Sequence, residues 1–350
     1  MIFSFLISFL AVVVLIPLAR KVAKRSGLVD TPGGRKDHEG EMPLVGGLVI
    51  VPVFIVVNML LGTGFSASWP LYAGLVLLLI TGVLDDRFHI RAGIKFMVQG
   101  LVALLVVVPG GVVIHQLGNL FGLGDFGLGF MAIPFSLACV MLVINAINLM
   151  DGLDGLAGGV SFVILGWFAL AGFSVHTPQI LLLLGALAGF LVYNMRSPLR
   201  RKACVFLGDA GSLCLGLIIA WYAIKLSMPT ARVIEPMGVA WVLALPIWDE
   251  CAQFYRRVRE GRHPFSPDRG HFHHHFIQAG FTPGQSVSMI LGIMVLSGFV
   301  GIVSLNIGVP LVMLTVVWII GILAHMAASK DLETYPALIS KIFPVRDVDE

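Results

Sequence analysis

The feature that most restricts the fold is a series of eleven apolar segments, each close to the roughly 20 residues that a helix needs to cross a bilayer. They cover residues 2–19, 44–62, 67–84, 93–109, 129–147, 157–174, 179–195, 211–226, 237–254, 285–306 and 309–328. The chain is 57% hydrophobic and 12% charged, with a mean hydropathy of +0.94. A soluble protein of 350 residues could not bury so much apolar surface. We therefore predict an all-α polytopic integral membrane protein with about eleven transmembrane helices.

Lysine and arginine are distributed unevenly between the two sides that these spans define. All of the 23 Lys and Arg residues except Lys225 and Arg232 fall in segments on one side. Because cytoplasmic loops carry the excess of positive charge, we predict that the N-terminus is outside and the C-terminus is cytoplasmic. The first segment has a basic cluster after it and none before it, which is the reverse of a signal peptide, so we expect it to be retained. Residues 1–330 are expected to form a single transmembrane domain and residues 331–350 a cytoplasmic tail that is partly amphipathic.

The most unusual stretch on the cytoplasmic side is NAINLMDGLDGLAGG, residues 145–159. Its Asn145, Asn148, Asp151 and Asp154 recur three residues apart, so on a helix the first three share one side. Its glycines would let the backbone approach a ligand closely. A helix end with ordinary turn residues is the alternative. Polar groups at the end of an apolar segment are costly unless they have a function, which favours a binding site.

Three further polar clusters fall on the same side. Asp85 and Asp86 end another span, and as neighbours on a helix they point about 100° apart, so we expect them to have different partners. The stretch VFLGDAGS contains Asp209 and precedes a helix that we predict to begin near Gly211. Asp209 has the alternative role of a helix N-cap. The loop GRHPFSPDRGHFHHHF, residues 261–276, combines histidines with arginines, and a solvated polar loop is its alternative interpretation.

These clusters combine carboxylates, histidines and an excess of cationic side chains. Mg²⁺ prefers a few carboxylates together with phosphate oxygens and water, and Arg and Lys neutralise phosphates. The combination favours phosphoryl transfer. A zinc site in the histidine run is disfavoured, because three consecutive side chains cannot easily converge on one tetrahedral ion. The opposing class of protein is a secondary transporter, whose polar groups would lie near the bilayer midplane and not at one face. No nucleic-acid-binding motif is present in the sequence.

Taken in chain order, the Asp85-Asp86 pair, NAINLMDGLDGLAGG, VFLGDAGS and HFHHHF resemble the polyprenyl-phosphate N-acetylhexosamine-1-phosphate transferases, glycosyltransferase family 4. By motif the resemblance extends over residues 28–280. The stretches GLVDTPGGRKDHEGEMPLVGG and FSPDRGHFHHHF are similar to the WecA-like branch, which begins surface polysaccharides from UDP-GlcNAc. The histidine run is longer here than the HIHH that is usual in the family.

The resemblance implies an enzyme of the bacterial inner (cytoplasmic) membrane with its active site on the cytoplasmic face. It would transfer N-acetylglucosamine-1-phosphate from UDP-GlcNAc to undecaprenyl phosphate and release UMP. UDP-MurNAc-pentapeptide and UDP-FucNAc are the alternative donors. The implied cofactor is Mg²⁺, with Mn²⁺ as a substitute, and a homodimer is compatible with the family.

Site roles follow from the resemblance residue by residue. The implied catalytic residues are Asp85, Asp86, Lys95, Asp151, His271, His273 and His274, the implied substrate-binding residues are Asp154, Asn194, Phe206 and Arg269, and the implied metal ligands are Asp209 and Asn148. Asp85 and Asp86 would position or deprotonate the lipid phosphate, and Lys95 would hold a phosphate. Phe206 would stack on the uracil base, and the histidines with Arg269 would grip the pyrophosphate or the sugar.

Overall fold

The computed structural model describes residues 2–30, 40–62, 68–197, 200, 202–263 and 270–343. Within these ranges the helices are α1 Ile2–Ser26, α2 Gly46–Leu60, α3 Trp69–Phe88, α4 Ala92–Val107, α5 Ala132–Leu149, α6 Leu156–Leu170, α7 Thr177–Asn194, α8 Asp209–Ser227, α9 Pro236–Val242, α10 Ala244–Arg259, α11 Phe272–Gln278, α12 Pro283–Asn306, α13 Leu311–Ala328 and α14 Thr334–Ile342. Two short strands, β1 Val29–Asp30 and β2 Met42–Pro43, pair antiparallel between α1 and α2. The chain is therefore mostly helical, as predicted.

Six helical segments in the described part of the chain are long and apolar enough to cross a membrane, judged by length and composition. They are α1, α5 with the short 3₁₀ turn before it, α7, α8, α12 and α13. The helices α2, α4 and α6 are apolar but shorter. These segments agree with an α-helical, multi-pass membrane protein.

The predicted span 237–254 is not one helix. It is divided into α9 and α10, which meet at Leu243. Pro246 lies in the first turn of α10 and has no N–H to donate to the carbonyl of Val242, so the helical hydrogen-bond ladder is interrupted at this point.

Helix α8 lies at the centre of the bundle. Nearly all of its residues are buried, and it packs against α2, α3, α5 and α6. A helix that is apolar on all sides belongs in such an interior position. A Cβ atom at Gly82 on α3 would lie 2.7 Å from the carbonyl carbon of Asp209, so only a glycine lets α3 approach the first turn of α8 this closely. This approach places Asp85 and Asp86 beside the start of α8.

Candidate active site

Asp86 caps the first turn of α8 from a neighbouring helix. Its Oδ1 accepts the backbone N–H of Asp209 at 2.9 Å, and its Oδ2 accepts that of Ala210 at 3.3 Å. The first N–H groups of a helix have no partner inside it, and a negative charge there is favourable. Helix α8 begins at Asp209, two residues before the predicted start near Gly211, and Gly208 is its N-cap. The alternative role of Asp209 as the N-cap is therefore wrong, and its carboxylate has other partners.

Lys95 joins the two other carboxylates of this region. Its Nζ donates to Oδ2 of Asp85 at 2.6 Å and to Oδ2 of Asp209 at 3.2 Å. Asp85 thus pairs with a cation while Asp86 binds backbone amides. The prediction that the two adjacent aspartates have different partners is confirmed. The ammonium group lies between two carboxylates at the end of the bundle, where a phosphate could compete for it.

Asn148, at the end of α5, holds the other side of Asp209. Its Nδ2 donates to Oδ1 of Asp209 at 2.9 Å and to the hydroxyl of Ser212 at 2.8 Å. Two carboxylate oxygens have four lone pairs in all, so Asp209 can accept a further ligand beside its contacts with Asn148, Lys95 and Asp85. The side chain of Asp209 is 29% exposed, which leaves it open to such a ligand. The two predicted metal ligands are therefore adjacent.

The loop after α5 links all the clusters that the sequence singled out. Asp151 lies at its solvent-exposed edge, near enough to Asp209, Asp86 and Asp154 to interact with their charges. Although Asp151 is exposed as a residue, the protein around its carboxyl group limits hydration of that group, and this effect, followed by the charges of these three carboxylates, raises the pKa of Asp151 to about 8. A bound cation would reverse this shift. Four carboxyl groups are therefore crowded at this loop, where a divalent ion would stabilise their charged forms.

Two of the predicted nucleoside residues meet at the following part of the same loop, Asp154 within the loop and Asn194 at the end of α7. Asp154 accepts the Arg196 Nε–H at 2.8 Å and the Ala203 backbone N–H at 3.2 Å. Asn194 is buried, and its amide accepts the Gly155 N–H at 2.9 Å and donates to the Val205 carbonyl at 2.9 Å. Both side chains thus tie the loop to residues 203–205, so their positions are set by the protein itself.

Phe206 follows this segment directly. Its backbone N–H donates to the Pro43 carbonyl, and its carbonyl accepts the Gly46 N–H, so it is held beside the start of α2. Its side chain is half-buried. Phe206 therefore lies next to the segment that contacts Asp154 and Asn194, and its stacking on a base stays a prediction.

The histidine run forms α11 and meets the same loop at Gly152. A Cβ atom at Gly152 would lie 2.6 Å from Cε1 of His273, so the ring packs directly on the glycine backbone. His273 is 2% exposed, and neither of its ring nitrogens has a hydrogen-bond partner among the described residues. Burial, and then the neighbouring His274 and His271, lower the pKa of His273 to about 3, which keeps the ring neutral. An orphaned, buried, neutral imidazole beside this loop is available to a ligand.

His271 has a different environment. Its Nδ1 lies 3.1 Å from Oδ2 of Asp249, and Nη2 of Arg257 lies 3.4 Å from its Nε2. Asp249 is 1% exposed and also accepts the backbone N–H of Phe272 at 3.0 Å. His274 is half-buried, and its ring lies 4.2 Å from that of His273 between centroids. The three predicted histidines therefore do not share one role: His271 is anchored in the protein, and His273 faces the loop.

Sequence reasoning missed four residues of this arrangement, which are Arg196, Ser212, Asp249 and Arg257. Asp249 had a detectable signal, because an acidic residue inside a predicted span is costly unless it is paired. The pairing of Arg196 had none, since a basic loop is already explained by membrane topology. The predicted ligand Arg269 lies outside the described residues.

The oxygen ligands fit a hard divalent cation that is shared with a substrate. Among the described residues, no three His, Cys, Asp or Glu side chains are grouped so that they could hold a metal ion alone. Mg²⁺ usually takes one or two carboxylates, keeps several waters and completes its shell with substrate phosphates. Asp209, with the carboxamide of Asn148 beside it, could supply one such carboxylate.

Comparison with known proteins identifies relatives over most of the chain. The family model described as Glycosyl transferase family 4 matches residues 68–227. An undecaprenyl-phosphate alpha-N-acetylglucosaminyl 1-phosphate transferase of Yersinia pestis is 35% identical over 311 residues, covering 86% of this chain and 82% of the relative. The protein of the same name from Escherichia coli K12 is 38% identical over 281 residues, with coverages of 78% and 75%. A protein of Bacillus subtilis, named as a probable undecaprenyl-phosphate N-acetylglucosaminyl 1-phosphate transferase, is 33% identical over 298 residues, with coverages of 82% and 80%.

Proposed function

This chain belongs to glycosyl transferase family 4, and from that premise we propose that it transfers N-acetylglucosamine-1-phosphate from UDP-GlcNAc to undecaprenyl phosphate. The products are undecaprenyl-pyrophosphoryl-GlcNAc and UMP, and the step would begin the synthesis of a surface polysaccharide. The names of the relatives support this donor and this acceptor. The transporter alternative is set aside by the family assignment.

The observation that carries the proposal is the convergence of the four sequence clusters on the loop after α5. Asn148 donates a hydrogen bond to Asp209, and Asp86 caps α8, the helix that begins at Asp209. Lys95 pairs with both Asp85 and Asp209, and Gly152 contacts His273 of α11. A soluble nucleotide sugar and a membrane-bound acceptor could meet only at such an end of a helical bundle. Cations and carboxylates side by side suit a site that binds phosphates and a divalent ion together.

In the proposed reaction an oxygen of the lipid phosphate attacks the β-phosphorus of UDP-GlcNAc. A new bond forms between that oxygen and the β-phosphorus, and the bond from the β-phosphorus to the bridging oxygen breaks. UMP leaves with the bridging oxygen. A phosphate monoester with a second pKa of about 6 is already largely ionised at neutral pH, so the acceptor needs positioning more than deprotonation.

The residues of the chain have separate parts in this proposal. Lys95 binds a substrate phosphate, and Asp85 orients the Lys95 ammonium. Asp86 fixes the start of α8 and so places Asp209. Asp209 and Asn148 would hold Mg²⁺, with Mn²⁺ as a substitute, and the bound ion would neutralise charge on the pyrophosphate.

On the donor side, Phe206 is proposed to stack on the base, and Asp154 and Asn194 to shape the nucleoside pocket through the contacts that fix their loop. Neutral His273 is proposed to donate a hydrogen bond to the pyrophosphate or the sugar. His271, His274 and Arg269 are proposed to support the same group, with Asp151 bracing the ion-binding side.

We also propose that the bundle crosses the bacterial inner membrane eleven times, with α9 and α10 forming one broken crossing. The N-terminus would be outside, and α11, α14 and the C-terminus would be cytoplasmic. The side-chain contacts support this arrangement, because the ends of α3, α5 and α7 and the start of α8 are all predicted to lie on one side and are joined by hydrogen bonds. One miscounted crossing between them would separate these partners.

The test is UMP release by the purified full-length protein with undecaprenyl phosphate, Mg²⁺ and UDP-GlcNAc. UDP-MurNAc-pentapeptide and UDP-FucNAc serve as competing donors, and EDTA tests the need for the ion. Asp209→Asn is expected to reduce turnover by about a hundredfold or more, as for the loss of a principal electrostatic group. Asp125→Asn, in an exposed outer loop, is the matched control and should retain full activity. Absence of nucleotide release with every donor would refute the proposed activity, and normal turnover by Asp209→Asn would refute the metal assignment.

A further inference from the structure

The C-terminal helix α14 contacts the histidine helix α11 through Tyr335. The hydroxyl of Tyr335 lies 2.7 Å from Nδ1 of His325, near the end of α13. Its ring stacks on His275 with centroids 5.1 Å apart and meets the edge of Phe272 at 5.3 Å. Burial raises the pKa of Tyr335, so its hydroxyl stays protonated and can donate to His325. One side chain therefore joins three helices.

His325 extends this contact to the anchor of the histidine run. Its ring lies 5.4 Å from that of Phe272 between centroids, and its Nε2 is 4.0 Å from Oδ1 of Asp249. Asp249 accepts the backbone N–H of Phe272 and pairs with His271, as described above. Tyr335 and His325 therefore each contact Phe272, in the first turn of α11.

The contacted side of α11 is not the side that meets the loop after α5. Phe272, His275 and Phe276 follow the i, i+3, i+4 spacing of one helix face, and Phe272 and His275 meet Tyr335. His273 lies about 100° from Phe272 around the helix and packs on Gly152. A rigid contact on the first face sets the rotation of α11 and, through it, the position of His273.

We propose that Tyr335, seated on His325, is a positioning residue that holds the histidine helix in register with the loop after α5, so that the C-terminal helix contributes to binding of the nucleotide-sugar donor. The structural part of this inference stands alone, and its consequence for the donor rests on the proposed function. Tyr335 itself does not touch the reacting atoms. The remainder of α14 is suited to a supporting role, because Ile339 is buried while Leu338 is 43% exposed.

The experiment uses the full-length protein with three substitutions. Tyr335→Ala removes the ring and the hydroxyl, Tyr335→Phe keeps the stacked ring and loses the hydrogen bond to His325, and Leu338→Ala is the matched control on the exposed side of α14. Amide hydrogen exchange across residues 271–278 reports on α11 directly. Steady-state UMP release gives the KM for UDP-GlcNAc and the KM for undecaprenyl phosphate separately.

Tyr335→Ala is expected to accelerate exchange in residues 271–278 and to raise the KM for UDP-GlcNAc, each by about tenfold, as for the loss of a stacked aromatic pair and one hydrogen bond. The KM for undecaprenyl phosphate should stay within about twofold, because Tyr335 is proposed to act only on the binding of the donor. General destabilisation would instead lower the amount of active enzyme and leave both KM values unchanged. Tyr335→Phe should lie closer to the wild type, with exchange in residues 271–278 and the KM for UDP-GlcNAc each raised by about threefold. Leu338→Ala should match the wild type in both measurements.

Three results would overturn the inference. The first is unchanged exchange in residues 271–278 in Tyr335→Ala, or in Tyr335→Phe if the alanine variant does not fold. The second is faster exchange without any rise in the KM for UDP-GlcNAc, and the third is an equal rise in both KM values. If the wild-type protein releases no UMP, the proposed function fails, and the exchange measurement still decides whether Tyr335 holds α11.

Discussion

The contribution of Asp86 to the stability of the site can be tested directly, because both of its hydrogen bonds are made to backbone N–H groups at the start of α8. Its carboxylate accepts the N–H groups of Asp209 at 2.9 Å and Ala210 at 3.3 Å. A hydrogen bond to a charged group contributes about 1.5–3 kcal/mol, and loss of a helix cap costs up to about 2 kcal/mol. The second bond is long and contributes less than the first. We expect Asp86→Ala to lower the free energy of unfolding by about 3 kcal/mol.

Two further substitutions separate this structural role from the loss of a negative charge. Asp86→Asn keeps one acceptor for the Asp209 amide and should cost about 1 kcal/mol. Asp85→Asn removes the charge of a buried carboxylate that pairs with Lys95, but Lys95 keeps Asp209 as a partner, so the cost should be about 1 kcal/mol. The order of stability is therefore wild type, then the two asparagine variants, then Asp86→Ala.

The measurement is thermal unfolding of the purified protein in detergent, followed by intrinsic fluorescence and by the monodisperse fraction after heating. At about 2 °C per kcal/mol for a chain of this size, Asp86→Ala should unfold about 6 °C below the wild type. Its UMP release should fall as well, because the start of α8 carries Asp209. A melting temperature within 1 °C of wild type for Asp86→Ala, or an equal loss in Asp85→Asn, would show that the cap does not stabilise α8.

Three other predictions follow from the loop after α5 and the histidine helix. Gly152→Ala should displace His273 and reduce UMP release by about tenfold or more, whereas Gly166→Ala, whose Cβ atom would meet open space, should have no effect. Because the folded-state pKa of His273 is lowered from 6.5 to about 3, the unfolded chain takes up a proton first, so the melting temperature should fall as the pH drops below about 6.5. His273→Asn should flatten that decline, and an unchanged slope would contradict the burial of a neutral ring. For Asp151 the folded-state pKa is raised from 3.8 to about 8, so in EDTA the melting temperature should fall as the pH rises from about 4 to 8. Asp151→Asn or added Mg²⁺ should remove this fall. Equal slopes of melting temperature against pH for the variant and the wild type would refute the crowding of negative charge.

Much of the site could be anticipated from the residues, but their partners could not. The 100° step between Asp85 and Asp86 correctly predicted that they have separate partners. It could not indicate that Asp86 binds the amides of another helix, since that depends on the close approach of α3 and α8 at Gly82. The resemblance placed Asn194 at the nucleoside, and the structure shows both ends of its amide engaged by backbone groups.

The broken helix and the histidine run show the same limit. Hydropathy treated 237–254 as one span, because an apolar composition does not reveal where Pro246 interrupts the helical ladder. Three histidines that are close in sequence acquire different surroundings, because successive helix positions point in different directions. His271 turns towards Asp249 and His273 towards Gly152.

The sequence by itself determined the helical, membrane-protein character of the chain, the uneven distribution of its positive charge and the segments that carry the chemistry. These are local properties, since hydropathy, charge and motif spacing are read along the chain without knowledge of what lies beside it. Only the tertiary structure decided that Asp86 caps α8, that Asp249 anchors His271 and that Tyr335 joins α14 to the histidine helix. Each of these contacts joins residues that are far apart in the chain, and it exists because packing brings their helices together.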